Sequence, residues 1–163
     1  MNKVIFCFAL VLFGTTINAQ NPNFEWALSI GGPTDGQGNS ITTDASGNVY
    51  ATGAFTGTFD FDPGPDTLNL TIGPANAIFI LKLDPTGNLL WARSIGGPNH
   101  MYGNCITTDV SGNIYTIGTF KGTADFDPGP DTLNLVTMNS SNDVFIQKLD
   151  PNGNLIWAIS IGG

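Results

Sequence analysis

The sequence predicts an all-β fold: tandem four-stranded antiparallel units, arranged as the blades of an incomplete β-propeller. Two observations carry the prediction. Trp26–Leu70 and Trp91–Leu135 align without gaps over 45 positions, of which 13 differ and 32 are identical. Trp26, Trp91 and Trp157 set the period, at spacings of 65 and then 66 residues, and repetition on this scale marks stacked supersecondary units. Within each block the apolar runs are short, rich in Ile, Val, Thr, Phe and Tyr, and broken at regular intervals by Gly, Pro, Asn and Asp. That is the punctuation of antiparallel strands.

Each element follows in order. A first strand covers Ser40–Asp44 and its copy Cys105–Asp109. The turn Asp44-Ala45-Ser46-Gly47-Asn48, repeated at Asp109–Asn113, places Asp first and Gly fourth, as a type I turn closed by a left-handed residue requires. A second strand runs from Val49 to Phe55. The third, Ile78–Leu83 and its copy Val144–Leu149, leads into Asp84-Pro85-Thr86-Gly87-Asn88 and Asp150–Asn154, where Pro presets φ and Gly takes the positive one. The fourth, Leu89–Ile95, ends at Gly96-Gly97. Ile78-Phe79-Ile80-Leu81 is apolar at successive positions, so both faces of its sheet are expected to be covered. Blades stacked around an axis meet that demand. A β-sandwich is the alternative, and it would leave one polar face per sheet.

The organisation expected is a signal peptide over residues 1–19 and a repeat region over 20–163. Repeat 1 spans about 26–90, repeat 2 about 91–156, and 157–163 opens a third. Lys3, the apolar run Val4–Phe13 and a small residue at Ala19 have the layout of a secretory signal. The run is shorter than the roughly 20 apolar residues of a membrane span. The remaining 144 residues hold one cysteine, Cys105, so no internal disulfide is expected. Ser40 stands at its place in the first repeat, and Cys105 is expected to be a small buried residue.

The chain carries 13 acidic against 5 basic side chains. A net charge this negative argues against nucleic-acid and anionic-lipid partners. All the acids except Glu25 are Asp, which suits turns because a short carboxylate caps nearby N–H groups.

The phrases SITTDASGNVYATGAFTGTFDFDPG and AIFILKLDPTGNLLWARSIGG resemble the bacterial β-propeller repeats called SBBP, common in secreted proteins of Bacteroidetes-type bacteria. The matching parts are the D-x-x-G-N-V/I-Y turn and strand, the FDPG loop, the I-F-x-x-K-L-D segment and W-A-x-S-I-G-G. The resemblance spans nearly all of 24–163 and implies a propeller fold, a secreted or outer-surface location and no catalytic motif. Such a fold usually needs about four blades or more, so the expectation is a segment of a longer protein, or a product that must assemble.

Few constellations carry chemistry. The loop Asp60-Phe61-Asp62-Pro63-Gly64-Pro65-Asp66 recurs as Asp125–Asp131. Asp60, Asp62 and Asp66, with Asp125, Asp127 and Asp131, are the candidate oxygen ligands for calcium. Against this, the spacing departs from an EF-hand loop, and Asp in a Pro-rich connector commonly caps turns. No other cofactor is indicated. Paired carboxylates also raise a glycan-active enzyme or accessory domain as the alternative function, although nothing nearby is suited to raising one pKa. The main reading is non-catalytic: an interaction or adhesion scaffold for a protein or glycan partner. Trp26, Trp91 and Trp157 read as anchors between blades, with a sugar-stacking platform as the competing role. The repeats differ most after Gly-Gly-Pro, where Thr34–Gln37 becomes Asn99–Tyr102. Asp35, Gln37, His100 and Tyr102 are therefore the ligand-loop candidates, since recognition concentrates in variable loops. Two blades alone would leave Ile78–Leu81 and Val144–Ile146 each covered on one side, so self-association through open blade faces is expected.

Overall fold

The computed structural model describes residues 24–138 and 141–162, and the expected signal peptide lies outside them. The described residues form strands and loops without a helix, so none offers a helix long and apolar enough to cross a membrane. The first four-stranded sheet has the order β1 (Gly36–Thr43), β2 (Val49–Phe55), β5 (Ala77–Leu83), β6 (Leu89–Ile95). The second repeats it with β7 (Tyr102–Thr108), β8 (Ile114–Lys121), β11 (Asn142–Leu149) and β12 (Leu155–Ile161). All pairings are antiparallel.

The tight turns are those the sequence specifies. In the turn after β1, the Asp44 carboxylate accepts from the backbone N–H of Ser46 at 2.9 Å and Asn48 at 3.0 Å. Asp84, Asp109 and Asp150 build the same box. Gly47, Gly87, Gly112 and Gly153 stand at φ values of 77–89°, which a residue with a Cβ adopts only at a cost.

Each unit also contains a small hairpin, β3 (Thr58–Asp60) with β4 (Asn69–Thr71) and β9 (Thr123–Asp125) with β10 (Asn134–Val136). The sequence predicts only a connector here, because a three-residue strand is too short to be told from a loop. The hairpins are packing elements. The sheets lie closest where β1 and β2 meet β7, and Ala124 and Phe126 of the second hairpin join the apolar core between them. Phe59 and Phe61 of the first pack on the other face of sheet one.

The stacking is face to back. Tyr50, Ile78, Ile80 and Ile95 on one face of the first sheet meet Ile114, Phe145 and Leu149 on the opposite face of the second. Equivalent residues therefore face in equivalent directions, as in successive propeller-like blades, and no sheet closes on itself. Asn39, the extra residue of a β-bulge in β1, reaches across to donate to the Gly103 carbonyl at 2.8 Å. Trp91 donates its indole N–H to the Pro151 carbonyl at 3.2 Å and packs edge-on to Tyr50. The anchor reading of the tryptophans fits these contacts.

Three expectations are corrected. Ile78–Leu81 is fully buried, because the second sheet covers one face while Trp26, Leu28, Ile30 and the first hairpin cover the other. Among the described residues, only the second sheet keeps an open face. Cys105 is exposed, not buried: it lies beside Ile117 and Ile146 on that open face, whereas Ser40 is in contact with Cys105 and Ile106 of the neighbouring unit. Finally, the sequence repeat and the sheet are out of phase. Trp157–Ile161, read as the opening of a third repeat, is the outer strand of the second sheet.

Candidate functional site

Two equivalent clefts lie at the end of the sheets where β1 and β7 begin. The first, about 440 Å³, is lined by Asp35, Gly36, Gln37, Ala54 and Asn76. The second, about 310 Å³, is lined by Asn99, His100, Tyr102, Thr119, Lys121 and Asn142. Asp35 and Gln37 thus share one cleft, and His100 and Tyr102 share its counterpart, so all four ligand-loop candidates fall in matching places. Sequence reasoning missed Asn76 and Asn142, Thr119 and Lys121. The two asparagines left a signal, since one precedes the third strand in both repeats.

The walls are held by the backbone. The Thr56 N–H donates to the Asp35 carbonyl at 3.0 Å, and the Thr34 hydroxyl bonds the Thr56 carbonyl. Between the units, the Asn76 N–H of the first donates to His100 Nδ1 of the second at 3.0 Å, and the Met101 N–H donates to the Asn76 carbonyl at 2.9 Å. An acceptor role at Nδ1 leaves the proton of neutral imidazole on Nε2. Met101, fully buried, anchors the loop beneath its polar neighbours. The loop after Gly-Gly-Pro is thereby fastened to both units.

At the opposite end a polar cleft of about 510 Å³ separates the turns of the two units, with Asp44, Tyr50, Lys82, Asp109 and Pro151 in its wall. Tyr50 donates to Asp44 at 3.0 Å, and burial together with this carboxylate holds its hydroxyl well above the ordinary range. Lys82 donates to the Pro151 carbonyl at 3.2 Å and lies over the Tyr50 ring. These groups satisfy one another across the unit boundary.

The acid-rich loops serve the backbone. Asp60 accepts from the N–H groups of Asp62 at 3.0 Å and Leu68 at 2.9 Å, and Asp62 accepts from Gly64 at 2.7 Å. Asp125 and Asp127 repeat the pattern. Asp66 and Asp131 are exposed. Among the described residues no three His, Cys, Asp or Glu side chains converge in a way that could hold a metal ion. What the loop does is turn Phe61 and Phe126 inward, each ring within 5.1 Å of a second-strand phenylalanine, Phe55 or Phe120.

Comparisons with known proteins agree with this architecture. A relative described as an uncharacterized WD repeat-containing protein, from Acanthamoeba polyphaga mimivirus, is 29% identical over 128 residues. The match covers 74% of this chain, and the chain spans only 9% of the length of that relative. Residues 90–120, from the outer strand of the first sheet through β7 and most of β8, match the family model SBBP, described as a beta-propeller repeat. The segment that leads from the first sheet into the second is thus similar to a beta-propeller repeat of the SBBP type.

Proposed function

We propose that this chain is a secreted or surface-exposed, non-catalytic interaction scaffold that binds a protein or glycan partner through the loop end bearing Asp35 and Gln37, His100 and Tyr102. One observation carries the reading. Two clefts occupy equivalent positions on nearly identical frameworks, and their linings are where the repeats diverge, with four consecutive substitutions from Thr34–Gln37 to Asn99–Tyr102. A fixed scaffold with variable loops is the division of labour that recognition uses. The Asp60 and Asp62 carboxylates are committed to backbone amides rather than paired with one another.

The test exchanges the loops. Binding partners are first sought for the full chain on glycan and protein arrays. Replacing Asn99, His100 and Tyr102 with Thr, Asp and Gln, with the buried Met101 kept, should weaken binding by about tenfold or more, a loss of roughly 1.4 kcal/mol, with the far-UV circular dichroism unchanged. Equal binding by both chains would move recognition off this end.

A further inference from the structure

We propose that the chain associates head to tail with second copies of itself, β12 of one copy displacing Trp26–Ile30 from the first sheet of the next. The inference is independent of the ligand loops and rests on the two ends of the stack.

The tail is the open face of the second sheet. Val144 and Ile161 are 36% and 56% exposed there, whereas Ile78 and Ile95, at the same repeat positions, are 0% and 2% exposed beneath the second sheet. The equivalent face of the first sheet is covered by the second. Here the uncovered face is the more apolar of the two. Ile117 replaces buried Thr52, and Ile159 replaces Arg93. A contiguous apolar surface of this kind marks an interaction site.

The head shows what fits that surface. Trp26-Ala27-Leu28-Ser29-Ile30-Gly31 has the sequence of an outer strand and differs from Trp157–Gly162 at one position, Leu28 against Ile159. It forms no strand ladder and keeps a single bridge, Gly31 with Asp60. Yet it occupies the seat of an outer strand. Trp26 donates to the Pro85 carbonyl at 3.0 Å, as Trp91 of β6 donates to that of Pro151 at 3.2 Å. Gly32 abuts the Thr58 carbonyl as Gly97 abuts that of Thr123. The first sheet therefore offers a second copy the surface that the second sheet offers the first. An arriving β12 brings three further strands behind it, while Trp26–Ile30 holds the seat alone. Such an interface is heterologous, and it grows into rings or open chains according to the rotation per copy.

Sedimentation velocity of the full chain, from low to high micromolar, should show mass rising with concentration. The variant Ile159→Lys/Ile161→Lys places two charges in the tail and should abolish self-association, because burying unpaired charge is costly. Both residues are exposed in the single copy, so its circular dichroism should match wild type. Its head is intact, however, so fluorescently labelled variant should still enter wild-type assemblies and shorten them. Trp26→Ala frees the seat and should lower the concentration at which assembly begins by about threefold or more. A wild-type monomer at every concentration overturns the proposal. So does exclusion of the labelled variant, which would mean tail-to-tail pairing, and so does weaker assembly by Trp26→Ala.

Discussion

Four aspartates, one per tight turn, do the same local task, and the hydrogen bonds they accept hold their carboxyls below the ordinary range. The Asn88 side chain and its neighbours hold Asp84 at about 2, and the Asn113 side chain leads in holding Asp109 at about 2, against an ordinary 3.8. A carboxyl depressed on folding binds fewer protons folded than unfolded, so it stabilises above the unfolded value. That contribution is complete above roughly pH 4 and disappears as the pH falls through about 2. Thermal melts between these limits should show a declining midpoint, and Asp84→Ala/Asp109→Ala should flatten the decline while lowering the midpoint at neutral pH. The acid-rich loops should respond differently to a metal. Because Asp60 and Asp62 already accept from amides, millimolar calcium or a chelator should leave the melting temperature unchanged, and a calcium-dependent rise would restore them as ligands. At this scale the sequence was legible wherever backbone geometry picks the residue, as at Gly47 and Gly112. Cys105 was not legible, because exposure there depends on which neighbour covers the strand.

Strand pairing explains a difference between the two units that their sequences leave unremarked. In the first sheet Ala51 pairs with Leu81, and in the second Thr116 pairs with Gln147 at the equivalent rungs. Gln147 donates to the Phe126 carbonyl at 2.7 Å, but its Oε1 and the Thr116 hydroxyl are buried without a hydrogen-bond partner. Unsatisfied buried groups cost stability, whereas replacing both by apolar groups is neutral or better. The double variant Thr116→Ala/Gln147→Leu, which copies the first unit, should raise stability by about 1 kcal/mol in urea denaturation. A loss of that size would mean the Gln147 to Phe126 bond outweighs the two orphaned atoms. The four long strands of each sheet were legible from β-branched runs and turns. The hairpins β3–β4 and β9–β10 were not, although the aromatic alternation Phe59-Asp60-Phe61 was present, because their role emerges only when the space beside a sheet has to be filled.

For the whole molecule, one repeat position has two environments, and mutation should separate them. Ile78 lies between two layers and Val144 lies on the open face. Ile78→Ala should cost about 2–5 kcal/mol, the range for a buried aliphatic. Val144→Ala should cost less than about 1 kcal/mol under conditions where the chain is monomeric. Equal costs would mean that the open face is covered in solution. Stacking was readable in the consecutive apolar residues of Ile78–Leu81. The covering of the first sheet by Trp26–Ile30 was not, since an outer-strand sequence gives no sign that it lies without partners.

The offset between repeat and sheet bears on how such a chain lengthens. The segment Asp60–Leu70 is identical to Asp125–Leu135, so misaligned recombination between the two coding stretches would add or remove 65 residues without altering a junction. Since Trp91 and β6 belong to one sequence repeat and the sheet before it, every such exchange transmits an outer strand together with the Gly-Gly crossing into the next sheet. Copy number then becomes a heritable variable that selection can adjust without redesigning an interface, and the loops after Gly-Gly-Pro can diverge afterwards on a framework that has already been inherited whole.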